Sequence, residues 1–284
     1  MTNKNDEPPP EGPECRRVAE GLIEISKGKT VKQFEVIGGR FIKKPPTGLN
    51  LIKDKPVIIG GGVKGKFIWL ELSDNMSLWI TLGMSGKWST QNQPHAHFAI
   101  HFEDGISLYF VDQRRFGTLR FKPLSKLPKK LASLGVDLLN SEASVDEFKQ
   151  VVRKQNKKTI VEALMNQAVC AGVGNYIKCE VLYRAELDPE IEVYNVTDSK
   201  LEQLYELIKL IIRASYRQGG ASIRNYRQVN GEFGNFVFEF QVYAQRMDPL
   251  GNRVERLDTS DGRTTHWVPC IQSRYKYLNQ VNGE

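Results

Sequence analysis

A proline nitrogen and two carboxyl groups are clustered near the start of the chain. Residues 10–14 read Pro-Glu-Gly-Pro-Glu, which puts Glu11 and Glu14 close behind Pro10. A free terminal amine has a pKa near 8 and is about 10% neutral at pH 7, whereas a lysine amine is below about 0.1% neutral. Nine residues precede Pro10, so its nitrogen is an amide, whose delocalised lone pair is not nucleophilic. The alternative interpretation is a proline-rich turn that caps a helix.

Two further segments have residue types that suit contact with phosphate. Lys66 stands at the start of a predicted strand, and a lysine is a compact point charge that can bind a phosphate, although a lone lysine beside a strand is usually only solvated. In residues 164–185, the absence of side chains at Gly172 and Gly174 allows the backbone to approach a phosphate closely. A helix that begins at Asn175 directs its first free N–H groups toward such an anion. A Gly-x-Gly pattern by itself is a weak signal for such a site.

Taken in order, these segments resemble the formamidopyrimidine-DNA glycosylase / endonuclease VIII family of repair enzymes. The resemblance runs from Pro10 to about Arg274 without a long unmatched insert, and residues 164–185 match the family's helix–two-turns–helix element over more than twenty positions. The other segments that carry it are residues 10–14, 82–86 (Leu-Gly-Met-Ser-Gly), 112–117 (Asp-Gln-Arg-Arg-Phe-Gly) and 262–265 (Gly-Arg-Thr-Thr).

The resemblance implies a reaction. In the family, the amine of a leading proline attacks C1′ of a damaged nucleoside and expels the oxidised base, and the resulting imine permits strand cleavage by β-elimination. Glu11 matches the acid–base carboxylate of this reaction, and Glu14 matches a second acidic residue near the site. The chain is therefore expected to be a DNA glycosylase with abasic-site lyase activity. Pro9 stands where the family has its initiator Met, so removal of Met1 does not free Pro10.

The resemblance also implies two sets of DNA contacts. One set binds phosphate, and the other fills the gap that an extruded base leaves in the duplex. Taken singly, Met84 is equally well explained by core packing. Gln113 replaces a proline that is usual in the family. The phosphate set is Lys66, Asn175 and Arg263, and the gap-filling set is Met84, Arg114 and Phe116.

The C-terminal segment resembles the zincless finger found in part of the family. Bacterial members bind zinc here with four cysteines, whose positions in this chain are Leu250, Arg253, Val268 and Ile271. Cys270 falls between these positions, so we expect neither a metal nor another cofactor. The strands of the finger hairpin are predicted at 237–243 and 263–268. Residues 219–236 resemble a loop that covers the flipped base in the branch acting on oxidised purines.

The pattern of elements predicts an α+β fold. Short β-rich segments between residues 31 and 121 indicate an N-terminal antiparallel β-sandwich, flanked by helices. The C-terminal part is predicted to be helical, with the helix–two-turns–helix element and a zincless β-hairpin finger. Helices are expected at about 13–26, from near 145, from near 160, at about 175–184 and at about 199–217. The predicted domains are a disordered extension (1–9), a catalytic β-sandwich (10–125), a linker (126–143), a helix–two-turns–helix domain (144–230) and the finger (231–284).

Composition agrees with a polyanionic partner. The 284 residues carry a net charge of +7 and a pI of about 9.1. No apolar run reaches the roughly 18 to 20 residues of a membrane helix, and the N-terminus lacks the apolar core of a secretion signal. The four cysteines have no paired short spacing, which favours free thiols. We expect an intracellular monomer that binds damaged DNA, double- or single-stranded, and no membrane.

Three functions remain open at this point. The first is an active glycosylase and lyase that is matured by loss of residues 1–9. The second is an enzyme that keeps the extension and uses another amine, with Lys66 nearest in the pattern, or releases the base without a covalent intermediate. The third is a non-catalytic protein that binds damaged DNA. Glu11 favours an enzyme, because a binding module needs only the phosphate contacts.

Overall fold

We describe the protein from a computed structural model, which covers residues 8–140, 142–218 and 239–273. These residues form two compact units, one built from residues 9–133 and the other from residues 134–217 and 239–273. The helices are α1 Gly12–Ser26, α2 Arg40–Lys43, α3 Leu127–Ala132, α4 Val145–Arg153, α5 Ile160–Met165, α6 Asn175–Arg184, α7 Asp198–Arg217 and α8 Pro269–Gln272. The strands are β1 Val31–Val36, β2 Ile58–Lys64, β3 Phe67–Leu72, β4 Met76–Thr81, β5 Lys87–Ser89, β6 Ala96–Phe102, β7 Ser107–Val111, β8 Thr118–Pro123, β9 Glu255–Asp258 and β10 Thr264–Trp267.

The first unit contains two four-stranded antiparallel sheets, as the sequence predicts. Their strand orders are β1-β6-β7-β5 and β2-β3-β4-β8, and alternate residues of both sheets enter one hydrophobic core. The largest side chains of this core are aromatic, and edge-to-face and tilted ring pairs pack it. Its fully buried members include Phe98, Phe102, Phe110, Phe121, Ile68, Leu70 and Ile80.

Helix α1 packs on β2 and β3 with one apolar face. Cys15, Val18, Ala19 and Leu22 have the i, i+3, i+4, i+7 spacing of a helix face, and all four are buried. Close approach of the helix to the sheet involves a glycine, because a Cβ at Gly61 of β2 would lie 3.2 Å from Cγ1 of Ile23 on α1. This contact fixes where the N-terminal end of α1, and with it residues 10–14, lies on the first unit.

The second unit is helical, and its capping signals are confirmed. Ser144 with Glu147 and Thr159 with Glu162 form capping boxes, so α4 and α5 begin where the sequence predicts. Helix α6 is buried along most of its length and packs against α7. The predicted apolar face of α7 is fully buried and consists of Leu201, Leu204, Ile208, Ile211 and Ile212. Within the described ranges, no helix has the length and apolar character needed to cross a bilayer.

The finger hairpin differs from the prediction. Strand β10 falls within the predicted 263–268, but it pairs with β9 rather than with residues 237–243. Residues 239–243 are not a strand, and residues 237–238 lie outside the described residues. The reason lies in Glu180, whose buried carboxylate accepts hydrogen bonds from the backbone N–H groups of Gln241, Val242 and Tyr243 at 2.9–3.1 Å. These donors are therefore not available to a β-ladder.

Candidate active site

The candidate catalytic residues lie at the N-terminus of α1. Pro10 is buried, Glu11 is the N-cap residue and Glu14 is the third residue of the helix. The N–H of Glu11 donates to Oε2 of Glu14 at 2.9 Å, and the two residues form a capping box. Their exposed fractions are 0% and 3%, which is unusual for carboxyl groups. The predicted helix cap is therefore present, and it holds two buried carboxyl groups beside Pro10.

Lys66 lies in a tight turn between β2 and β3. Lys64 pairs with Phe67, so Gly65 and Lys66 alone form the turn. Gly65 has φ of +56°, the conformation that a two-residue hairpin turn with glycine at its first position requires. Lys66 is half-buried at the tip of this rigid hairpin. A cation held in this way loses little conformational entropy when it binds an anion.

The structure brings the two predicted gap-filling segments together. A Cβ at Gly83 would lie 2.7 Å from the backbone nitrogen of Gly117, so the turn that carries Met84 packs directly on the loop of residues 112–117. Met84 is half-buried, whereas Arg114 and Phe116 are exposed. The guanidinium carbon of Arg114 lies 5.6 Å from the centroid of the Phe116 ring, which is 57% exposed. An exposed aromatic ring beside a cation suits insertion into stacked bases.

Asp112, to which the sequence analysis gave no role, fastens these two segments. Its Oδ1 accepts from the Ser85 hydroxyl at 2.5 Å and its Oδ2 accepts from the Gly117 N–H at 2.7 Å. Ser85 Oγ in turn accepts from the Arg114 N–H at 2.9 Å. Asp112 is 1% exposed, so these bonds satisfy an otherwise costly buried carboxylate. Ser85 lies 27 residues before Asp112 in the sequence, so no local pattern indicates that the two side chains meet. The role of Asp112 could therefore not be predicted from the sequence.

In the second unit, Asn175 and the finger are in contact. Asn175 is the first residue of α6, and its Nδ2 donates to the backbone oxygen of Thr264 at 3.0 Å. Arg263 precedes Thr264 and is exposed at the tip of the β9–β10 hairpin. The predicted phosphate contacts of the helix and of the finger therefore lie side by side. Lys66 belongs to the first unit.

Helix α6 holds the finger through a series of polar contacts. Cys179 Sγ accepts from the His266 N–H at 3.3 Å, and the Tyr183 hydroxyl donates to Oδ2 of Asp248 at 3.0 Å. Burial raises the pKa of Tyr183 to about 12, and the bond to Asp248 adds to the rise, so the hydroxyl stays a donor at neutral pH. Of the four positions matched in the sequence to the zinc-binding cysteines of bacterial members, Val268 is fully buried and Leu250 is 76% exposed. No group of three or more His, Cys, Asp or Glu in the described part of the chain is placed to bind a metal.

Three of the four cysteines are buried and present no nucleophile at the surface. Cys15, Cys170 and Cys179 are buried, Cys270 is exposed, and all four are free thiols. Burial raises the pKa of the Cys170 thiol to about 12, which leaves almost no thiolate at neutral pH. Cys170 therefore acts as a small apolar group in the core.

Comparison with known proteins identifies the family. Three domain families match in order: the formamidopyrimidine-DNA glycosylase N-terminal domain at residues 9–119, its H2TH domain at 134–227 and its C-terminal domain at 230–273. A formamidopyrimidine-DNA glycosylase of Bacillus licheniformis is 31% identical over an alignment of 281 positions. The match covers 94% of this chain and 100% of that protein. The chain belongs to the formamidopyrimidine-DNA glycosylase family. An enzyme of the same name from a Bradyrhizobium species is also 31% identical and covers 93% of the chain.

Solved structures of this glycosylase family have the same fold. A Lactococcus lactis Fpg variant in complex with DNA that contains Fapy-dG has a TM-score of 0.80 and 28% identity, and the match covers 93% of this chain and 100% of that one. The MutM (Fpg) protein of Thermus thermophilus has a TM-score of 0.81 and 27% identity, with 93% and 99% covered. The α+β fold, with antiparallel sheets in its N-terminal part and an H2TH domain, is therefore that of the glycosylase family.

Proposed function

We propose that the protein is a bifunctional DNA-repair glycosylase, active once the nitrogen of Pro10 is freed, that removes oxidised bases and then cleaves the strand. The observation that carries the proposal is the capping box of α1, which keeps Glu11 and Glu14 buried beside Pro10 in a domain of the glycosylase family. A helix cap alone would be served by Ser or Asp at the surface. Two buried carboxyl groups next to a potential amine serve proton transfer instead.

The chemistry follows from these groups. The neutral amine of Pro10 attacks C1′ of the damaged nucleoside and displaces the base, which leaves with the electron pair of its bond to C1′ and takes up the proton that the amine loses. Glu11, as the acid, protonates the ring oxygen of the sugar, so the C1′–O4′ bond breaks and the ring opens. The product is a cationic imine between Pro10 and the opened sugar. The imine accepts the electron pair of the C2′–H bond, whose proton passes to a carboxylate. The C3′–O bond then breaks, and the 3′ phosphate departs with its electron pair by β-elimination. Water then hydrolyses the imine and restores the amine.

DNA binding is assigned to two groups of residues. Lys66, Asn175 and Arg263 contact phosphate, and the second amide hydrogen of Asn175 remains for this purpose because Nδ2 has two. Met84, Arg114 and Phe116 fill the gap left by the flipped base. We assign the finger to the zincless type, because hydrogen bonds from α6 and packing of Val268 hold it. We keep residues 10–125 as the catalytic domain, 126–143 as a linker, 144–230 as the helical DNA-binding domain and 231–284 as the finger.

A second candidate function is a damaged-DNA-binding protein without the lyase step. The nine residues ahead of Pro10 favour it, since they leave its nitrogen as an amide. Such a protein would bind abasic DNA but form no covalent adduct with it. Borohydride reduces the imine between an enzyme and DNA that carries one abasic site to a stable adduct, so the presence or absence of this adduct separates the two functions.

Replacing the two proposed phosphate-binding cations should change the salt dependence of binding. Lys66→Ala or Arg263→Ala is expected to lower the slope of log K against log salt by about one unit, because each cation releases about one counterion. Binding to all sequences should weaken alike, since phosphate contacts carry no base information. Asn175→Ala should weaken binding without changing the slope, because an amide releases no counterion. Fluorescence anisotropy over a salt series measures all three.

Lys27 provides the matched control for these variants. It is exposed, lies at the C-terminal end of α1 and has no assigned DNA contact. Lys27→Ala should keep the wild-type slope. An Arg263→Ala protein that changed base preference but kept the wild-type slope would contradict the phosphate role.

The gap-filling role predicts an effect confined to duplex DNA. Phe116→Ala should slow base release from a duplex at least about tenfold, because the few kcal/mol lost on unstacking are no longer offset, and should spare single-stranded substrate. Single-turnover rates on the two substrates measure the ratio. Tyr194→Ala, which removes an aromatic ring that is 74% exposed in the second unit, is the control and should leave both rates unchanged. Equal slowing on both substrates by Phe116→Ala would argue against insertion.

A further inference from the structure

A fully buried ion pair links α6 to the tip of the finger. Nζ of Lys178 lies 2.7 Å from Oδ2 of Asp261, and the two side chains are 0% and 2% exposed. Lysine and aspartate are rarely buried to this degree. Neither residue has a part in the chemistry or the DNA contacts described so far.

Asp261 organises the loop that presents Arg263. Its other oxygen, Oδ1, accepts from the hydroxyl of Thr259 at 2.6 Å and from the backbone N–H of Arg263 at 3.3 Å. The loop between β9 and β10 consists of residues 259–263, and Gly262 in it has φ of +72°. The carboxylate of Asp261 therefore sets the backbone of the loop and anchors it to Lys178.

Lys178 sits one helical turn after Asn175 on α6. Asn175 contacts Thr264 on one side of Arg263, and Lys178 contacts Asp261 on the other side. The contacts made further along α6, through Cys179, Glu180 and Tyr183, reach residues 241–248 and 266 rather than the tip. The first turn of α6 is thus the part of the helix that holds the tip loop.

A buried ion pair adds little net stability, because the desolvation of both charges offsets their attraction. Replacing both members by neutral groups of similar volume is often tolerated, whereas removal of one member leaves an uncompensated charge. What such a pair supplies is a defined geometry between the elements that it joins. Here those elements carry the two proposed phosphate contacts of the second unit.

We propose that the buried Lys178–Asp261 pair is a positioning element for DNA binding, which fixes Arg263 relative to Asn175 so that both meet the phosphate backbone together. This inference rests on the DNA-binding function proposed above. It predicts that loss of the pair removes the contribution of Arg263 to binding while the protein stays folded.

The test is a double-mutant cycle on the salt slope. Lys178→Met with Asp261→Asn removes both charges and retains an oxygen that accepts from Thr259 and Arg263. We expect this double variant to melt cooperatively, to have a slope about one unit below wild type, and to be changed little by further addition of Arg263→Ala. Lys178→Arg, which keeps the charge, should recover most of the slope. A role in stability alone would shift the melting temperature and leave the slope unchanged.

Lys149→Met with Glu202→Gln is the matched control, because it removes a pair of the same charges, 2.8 Å apart, between α4 and α7. Arg263→Ala should keep its full effect in this background. If Arg263→Ala lowers the slope by one unit in the Lys178→Met, Asp261→Asn background as well, the inference is wrong. Should the double variant not fold, Lys178→Gln with Asp261→Asn, which is also neutral and keeps polar groups that can hydrogen-bond to each other, takes its place in the same cycle. A wild-type protein without salt-dependent binding would instead contradict the proposed function.

Discussion

A chain that begins at Pro10 is expected to form a borohydride-stable adduct with DNA carrying an abasic site, and the chain that keeps residues 1–9 to form on the order of 100-fold less. The freed amine is about 10% neutral at pH 7, whereas an ordinary lysine amine such as that of Lys66 is about 100-fold less so. The terminal amine of the longer chain has an ordinary pKa but belongs to Met1, nine residues before Pro10. The amide nitrogen of the full chain has no nucleophilic lone pair. Denaturing gel electrophoresis after borohydride treatment counts the trapped complexes.

A chain that begins at Pro9 is the sharpest control. This chain also has a terminal proline amine of ordinary pKa. The amine belongs to Pro9, however, and therefore lies one residue, or up to about 3.5 Å, away from the position that the nitrogen of Pro10 occupies next to Glu11. We expect much less adduct from it than from the chain that begins at Pro10. Full-speed cleavage of abasic strands by the chain with residues 1–9 retained, unaffected by Pro10→Gly, would overturn the mechanism and leave an enzyme that uses another group.

Local signals in the sequence were sufficient for much of the fold. Ser144 and Thr159, each followed three residues later by glutamate, predicted the starts of α4 and α5, and Gly174 predicted the start of α6. The bounds of α6 at Asn175–Arg184 agree with the prediction. These elements depend on contacts between residues three or four apart, which a sequence displays directly.

Contacts between distant residues account for what the sequence did not predict. Residues 239–243 have the composition of a strand, yet the N–H groups of Gln241, Val242 and Tyr243 bind Glu180, about 60 residues earlier. The loops that carry Met84 and Phe116 meet through Asp112, and the finger tip is fixed by Lys178. Each of these charged side chains would be expected on the surface, because its partner cannot be read from its neighbours. The short helices α2, α3 and α8 were missed for a related reason, since four to six residues give too little periodicity.

Glu11→Gln in the chain that begins at Pro10 should slow release of an oxidised base by about 10² to 10⁴-fold, the usual contribution of a general acid–base group. Glutamine keeps the size of the side chain and an oxygen to accept a helix N–H, but it cannot exchange a proton. Binding to duplex DNA should stay within a few fold of the parent, because Glu11 is buried and contributes no phosphate contact. Single-turnover excision from a duplex containing formamidopyrimidine, with binding measured in parallel, gives both quantities.

The substitution also touches a helix cap, and a carboxylate of another capping box separates the two effects. Glu147 is the third residue of α4 and forms a capping box with Ser144, as Glu14 does with Glu11 in α1. Glu147→Gln should therefore report the cost of weakening a cap, up to about 2 kcal/mol of stability, with an unchanged excision rate. If Glu11→Gln lowers the melting temperature as Glu147→Gln does but keeps more than half of the excision rate, then Glu11 is a cap and not an acid. A large loss of excision rate without a comparable loss of stability would show that the reaction needs a proton from the carboxyl group of Glu11, which glutamine cannot supply.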